Sequence, residues 1–273
     1  MSRRWKAAAM TGLLALGALA TLLPLLWMVS GSLMKNGESN SLPLHFLPRE
    51  PTLEQYRLLF GRLRLGVCFL NSALLASAVT AGSLVLNAMA GYAFAKLRFR
   101  GRKRLFGFLL AAMVIPGQVA MLPLFLFLRT LHLVDTYWGV ILPGLASLFG
   151  IFLVRQYALS IPDELLDAAR VDGAGEVQIF RAIVFPLCRP ILVTLAIFTF
   201  LGSWNDFFWP LVVLTDNSRW TLPVALANLM GEHAVDTELM MAGALLTILP
   251  VLLLFLILQK QYIEGITLGG VKE

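Results

Sequence analysis

The chain has 273 residues, of which 58% are hydrophobic and only 14% charged. Soluble domains carry about 25% charged residues, so the composition excludes an ordinary water-soluble domain and points to a membrane protein. The net charge of +6 is of the kind that cytoplasmic loops accumulate, and it gives no reason to expect a nucleic-acid partner.

The chain opens with Arg3, Arg4 and Lys6, followed by an apolar run over residues 7–29. That run exceeds the roughly 7–15 residues of a secretory h-region, so it predicts a retained first transmembrane helix with its basic end inside. Trp5 and Trp27 fit interfacial anchors at its ends. Residues 30–66 are polar and proline-rich. Within them Thr52 and Gln55 have capping-box spacing, and Leu53, Tyr56, Leu59 and Phe60 share one face, which predicts a short amphipathic helix on the outer surface.

A second span is expected over residues 67–95. The stretch from Lys96 to Arg104 then holds six basic residues and no acid. It reads as a topology determinant that keeps this loop in the cytoplasm, in preference to a specific lipid site. The third span, 105–128, contains Pro116-Gly117 and Pro123. A proline inside a helix frees a carbonyl, and in lipid such a break has to face protein or a water-filled cavity. Gln118 is therefore a candidate for lining a translocation pathway, with ordinary kinked-helix packing as the competing account. A fourth span covers 138–157 and a fifth 187–213. The fifth holds Asn205 and Asp206, a second pathway candidate, because an acid within a span marks a functional site by default, with a helix-to-helix hydrogen bond as the competing account. Neighbouring Trp204, Phe207, Phe208 and Trp209 could stack on sugar faces or serve as interfacial anchors. The last span, 239–258, is followed by a tail expected inside.

Six spans with both termini inside place fifteen Lys and Arg residues in the cytoplasm and seven outside, the imbalance that the positive-inside rule requires. Cys68 and Cys188 fall near opposite faces, so no disulfide is expected, and His45, His132 and His233 lie in separate loops, so no metal site is expected.

One polar stretch, residues 160–187, interrupts this apolar chain. Pro162, Asp163 and Glu164 suit the start of a helix, and Gly173 suits its end. A second short helix, 176–184, is expected to stop at Pro186. The loop's five acids (Asp163, Glu164, Asp167, Asp172, Glu176) outweigh Arg170 and Arg181. An anionic leaflet repels such a segment, so docking to another protein is favoured over resting on the bilayer.

Within this loop, Asp167-Ala168-Ala169, three residues, Gly173, nine residues, Ile183, one residue, Phe185-Pro186 resembles the EAA loop of ABC importer permeases. The spacing is complete; Asp stands for Glu and Phe for Leu. The flanking stretches Asn71-Ser72, Ala90 to Ala95, Pro116-Gly117-Gln118, Trp204-Asn205-Asp206 and Gly265 to Lys272 resemble the second permease subunit of carbohydrate-type importers.

The resemblance implies an all-α membrane protein of six transmembrane helices with the type I ABC importer permease fold, both termini cytoplasmic. It would lie in the bacterial or archaeal cytoplasmic (inner) membrane. Residues 1–66 would be the first helix and an external loop, 67–265 the permease core, and 266–273 a cytoplasmic tail. The chain would be no enzyme. It would form half of the pathway for a sugar or related polar solute, paired with a second homologous permease, an ABC ATPase dimer and an extracytoplasmic solute-binding protein. Asp167, Ala168, Ala169, Asp172, Gly173, Ile183 and Pro186 would couple it to the ATPase. Residues 221–238 would reach into the binding protein, and the C-terminal tail would touch the ATPases. No G-x-x-x-x-G-K-[ST] loop occurs in the chain, so ATP has to be bound and hydrolysed by a partner, and no cofactor is expected here. The alternative reading, an ion-coupled secondary transporter of a small polar solute, predicts acid or base pairs along the spans, for which only Asp206 qualifies.

Overall fold

A computed structural model describes residues 2–43, 45–61, 64–232 and 236–270, with side chains described for all of these except 2–9, 230–232, 254 and 258–270. His233, and the contacts expected of the C-terminal tail, lie outside that set. Every described element is helical. Four stretches are long and apolar enough to cross a bilayer, namely Met10–Gly31, Leu65–Lys96, Tyr137–Ala158 and Thr237–Ile257. Two more are bent pairs: Arg102–Ala112 with Gly117–Thr130 at 99°, and Glu176–Leu187 with Arg189–Trp204 at 77°. Counting each bent pair as one span gives six.

The chain divides into two compact units, residues 1–66 with 225–250, and residues 67–224 with 251–273. In the first, α1 (Ser2–Gly31) leads into a loop and α2 (Glu54–Gly61). The face of α2 differs from the expected one. Gln55 and Leu59 are buried, while Leu53 and Phe60 are exposed. Gln55 is drawn inward because its amide donates to Asn36 Oδ1 at 2.6 Å and to Met34 O at 3.3 Å. Its Oε1 is buried without a hydrogen-bond partner among the described residues, so the amide nitrogen alone anchors it. Glu238, in the first turn of α14 (Thr237–Gly270), is buried and accepts from Ser39 N at 2.8 Å. Helix α14 continues through residue 258, where the sequence suggests a tail, to Gly270.

The second unit is built along α3 (Leu65–Lys96). Gly91 of α3 lets it approach α7 (Leu148–Ala158) closely: a Cβ at Gly91 would meet Val154 at 2.8 Å. Three predicted spans break near a proline, the fourth span just after Pro143. The third divides into α4 (Arg102–Ala112), a 3-10 turn (Gly117–Ala120) and α5 (Met121–Thr130), because Pro116 cannot donate and disfavours helix before it. Helix α6 (Tyr137–Gly144) precedes α7. The fifth predicted span divides into α11 (Arg189–Trp204) and α12 (Phe208–Val213), where the ring of Pro210 would otherwise meet the carbonyl of residue 206.

The polar loop forms α8 (Asp163–Val171), α9 (Glu176–Ile179), a π-helical stretch (Phe180–Val184) and α10 (Phe185–Leu187). Pro186 does not stop this second helix. The π-helical stretch shifts the hydrogen-bond register just before it, with Phe185 N donating to Phe180 O, and the wider turn accommodates the ring. The 77° bend falls one step later, around Cys188. Helix α13 (Leu222–Glu232) follows α12.

Candidate functional site

Helix α8 forms because Pro162 presets its entry and Asp163 and Glu164 sit on its positive end. Its C-terminus closes on Gly173, at φ +86°. Gly173 N donates to Arg170 O at 3.0 Å and Ala174 N to Ala169 O at 2.9 Å, a Schellman arrangement that requires the left-handed residue. Leu166 and Ile179, 1% and 0% exposed, seat α8 and α9 on Tyr92, Ala95, Val154 and Ala158 at the ends of α3 and α7.

Two polar links fasten this knob to the last turns of α3. Lys96 donates to Ile161 O at 2.6 Å and to Asp163 Oδ1 at 2.7 Å, with only 6% of its side chain exposed. The hydrogen bond from Lys96, then its charge, holds the Asp163 carboxyl below the usual range. One turn earlier, Tyr92 donates its hydroxyl to Glu176 Oε2 at 2.6 Å. Arg170 bridges the loop's own acids, donating to Glu176 Oε1 at 2.8 Å and to Asp167 Oδ1 at 2.7 Å. These bonds, Glu176 first and Asp167 second, raise the pKa of Arg170. Exposed pairs contribute little each, about 0.2–1 kcal/mol, but a buried ammonium left unpaired is costly, so Lys96 is the firmer anchor.

Of the expected coupling residues, Asp167 and Ala168 are exposed on α8, and Asp172 and Gly173 are exposed just after its end. Ala169, Asp172, Gly173 and Ile183 come together around a groove of about 300 Å³ between the two arms of the loop. Pro186 is exposed and stands apart from that groove. Tyr92, Lys96, Arg170 and Glu176 were not singled out as site residues by sequence. Only the i, i+4 spacing of Tyr92 and Lys96, and the i, i+3 spacing of Asp167 and Arg170, could have suggested them.

A second constellation lies among the breaks. A cavity of about 480 Å³ is lined by Gly117 and Gln118 at the α4–α5 break, Gly144 at the end of α6, and Asp206 at the α11–α12 break. Thr199 and Ser203 of α11 and Val79 of α3 complete much of the wall. Irregular backbone at membrane depth is tolerated where it borders protein or a wet cavity, and here three breaks converge on one. Gln118 and Asp206, the two pathway candidates, both line this cavity. Asn205 is not part of the wall: its amide donates to Leu201 O at 3.0 Å at the end of α11. Thr199, Ser203 and Asp206 follow a helical period of 4 and 3, a signal present in the sequence but overshadowed by the tryptophans. Trp209, also lining the cavity, is held by its indole N–H donating to Gly139 O at 3.1 Å.

Comparison with known proteins agrees with this architecture. The family described as "Binding-protein-dependent transport system inner membrane component" matches residues 67–266. An arabinooligosaccharides transport system permease protein, AraQ of Halalkalibacterium halodurans, is 41% identical over 244 residues, 89% of this chain and 86% of its own length. The sn-glycerol-3-phosphate transport system permease protein UgpE of Pectobacterium atrosepticum is 31% identical over 269 residues, 93% of each chain. A solved chain from a bacterial ABC transporter involved in the import of the acidic polysaccharide alginate superposes with TM-score 0.82 at 27% identity, covering 95% of this chain and 98% of that one. The chain belongs to the family of binding-protein-dependent transport system inner membrane components. It is a multi-pass permease subunit of the inner membrane and not an enzyme, and ATP in such a system is handled by a separate ATPase.

Proposed function

We propose that this permease forms half of the pathway for a neutral sugar or oligosaccharide, opposite a second homologous permease, and that residues 160–187 couple it to an ABC ATPase dimer. The observation that supports this most is the complete Asp167 to Pro186 spacing folded into a knob that is fastened to α3 at the first residues of α8 and of α9. In this reading both termini are cytoplasmic, the knob enters the ATPase, and a solute-binding protein approaches from the other side. Ala168 offers no side chain beyond Cβ, so a partner surface can approach the α8 backbone; Asp167 and Asp172 present charge to basic groups on it.

Two routes lead from the knob to the cavity. One is covalent, through the bend at Cys188 into α11, which carries Thr199 and Ser203. The other is α3: from Tyr92 to Val79 is thirteen residues, about 20 Å of rigid helix at 1.5 Å per residue. When the ATPase dimer closes, a rigid-body displacement of the knob moves both walls of the cavity together, as in other domain-rotation switches.

The solute class rests on relatives whose printed solutes are arabinooligosaccharides and sn-glycerol-3-phosphate, and on the wall chemistry. The wall presents Gln118, Thr199, Ser203 and the carboxyl of Asp206, with no Lys or Arg among its lining residues. A phosphate ester would face an acid without a cation to pair with it, whereas sugar hydroxyls pair readily with amide, hydroxyl and carboxylate groups. Uptake by the reconstituted transporter, with its cognate binding protein, tests this. A neutral oligosaccharide carried in preference to a sugar phosphate is expected, and Ser203→Trp, which fills the cavity, should abolish uptake while the ATPase still copurifies. Preference for the phosphate ester contradicts the solute class.

A further inference from the structure

The loop that joins α3 to α4 has a feature that topology alone does not require. Among the described residues, 98–104 alone line a hollow of about 700 Å³. Arg98, Arg100, Lys103 and Arg104 form no ion pair among the described residues. Arg102 donates to Leu97 O at 2.8 Å, which orients its guanidinium without neutralising it. Asp163, the carboxylate that feels Arg98, is already engaged by Lys96. The turn is made by Gly101 at φ +87°, which is also the N-cap of α4 and supplies no side-chain cap to the helix. Five cations and an uncapped helix start therefore converge on one concave surface, and like charges gathered without an anion repel.

The same element changes character along its length. Leu105 and Phe108 are 54% and 76% exposed, and Phe108 lies one turn above Arg104, on the same helix face. The loop joins two membrane segments, so it sits at headgroup depth. A surface with cations at that depth and bare apolar side chains immediately above matches a phospholipid: phosphate below, acyl chain above.

We propose that residues 98–104 bind the phosphate group of an anionic phospholipid, whose acyl chains lie along Leu105 and Phe108. The shared ligand chemistry is a phosphate anion, and the lipid source is distinguished from free phosphate by the apolar flank. The occupied site offsets part of the positive charge of the loop beside residues 160–187 and fixes the bilayer's height against it.

The test uses the assembled transporter carrying the full-length chain. Lipid retained after detergent extraction is measured by native mass spectrometry, comparing phosphatidylglycerol with phosphatidylcholine of the same acyl chains, and adding inorganic phosphate in a separate arm. Phosphatidylglycerol is expected to be retained preferentially at low salt, with the preference falling as salt rises. At about 1 kcal/mol per cation, Arg100→Gln with Lys103→Gln weakens the preference about five-fold per residue, roughly twenty-five-fold together. Leu105 and Phe108 predict that inorganic phosphate displaces little lipid. Equal retention of the two lipids, an unchanged preference in the double variant, or full displacement by inorganic phosphate overturns the proposal. Should the double variant fail to assemble, the salt series on the unaltered transporter decides: a preference that is flat with salt also overturns it.

Discussion

Two polar loops meet at the Lys96 end of α3, and they are electrostatic opposites. In residues 160–176 three of the five acids are paired: Asp163 with Lys96, and Asp167 and Glu176 with Arg170. In residues 98–104 no cation is paired among the described residues. The contrast separates two tasks. In the proposed coupling, a loop braced by its own Arg170 and by Lys96 of α3 keeps its shape when pushed and can transmit a displacement. A loop whose charges are left unsatisfied is completed by something outside the chain.

The strongest way to break the comparison is to disable the transmitting loop at its exposed surface. Ala168→Trp leaves the buried face of α8 intact but blocks close approach of a partner, and the loss of such a central contact predicts uptake reduced by about thirty-fold or more. ATPase copurification and uptake, measured together, check it; unchanged uptake removes the docking model. Disrupting the loop's fold comes next. Leu166→Ala removes a fully buried side chain, at a cost of about 2–5 kcal/mol, and hydrogen exchange over α8 should rise accordingly. Gly173→Ala forces a Cβ into the left-handed region, costing about 1–2 kcal/mol and loosening the same amides to a smaller degree.

The internal pairing gives the smallest and most specific effect. Asp163 has its carboxyl pKa depressed by Lys96. A depressed folded-state pKa means that the pair's contribution is fully present above the unfolded value and is lost as pH falls through the folded one. Amide protection in the first turn of α8 is therefore expected to stay flat through neutral pH and to decline only below about pH 4, the ordinary carboxylate range. A decline near neutrality would assign the protection to another group.

Much of this architecture was legible in the sequence because the relevant signals are local. Pro116 announces a helix break through chemistry confined to a few residues, and Gly173 announces a helix end in the same way, whereas the break before Pro210 falls inside a span expected to be continuous. The spacing from Asp167 to Pro186 is likewise a local pattern. What was not legible is the attachment of that pattern to the rest of the fold. Tyr92 meets Glu176 across 84 residues of sequence, and Lys96 meets Asp163 across 67. Lys96 counted in the sequence only as one more charge on the inner side. Pro186 misled because a π-helical register shift cannot be read from residue types. The cavity was half legible: Gln118 and Asp206 stand out as polar groups in spans, whereas Thr199 and Ser203 are ordinary helix residues until α11 is placed beside the breaks.

The central claim is that the knob drives the cavity walls through α3 as well as through the chain. The most direct measurement is solute carried per ATP hydrolysed by the reconstituted transporter bearing Lys96→Met with Tyr92→Phe, which removes both polar links to α3 and leaves the exposed face of α8 untouched. Loss of three charge-assisted hydrogen bonds, about 1.5–3 kcal/mol each, predicts a ratio at least ten-fold lower while ATP hydrolysis stimulated by binding protein persists. A ratio equal to that of the unaltered transporter, with both rates unchanged or falling in parallel, would contradict the account.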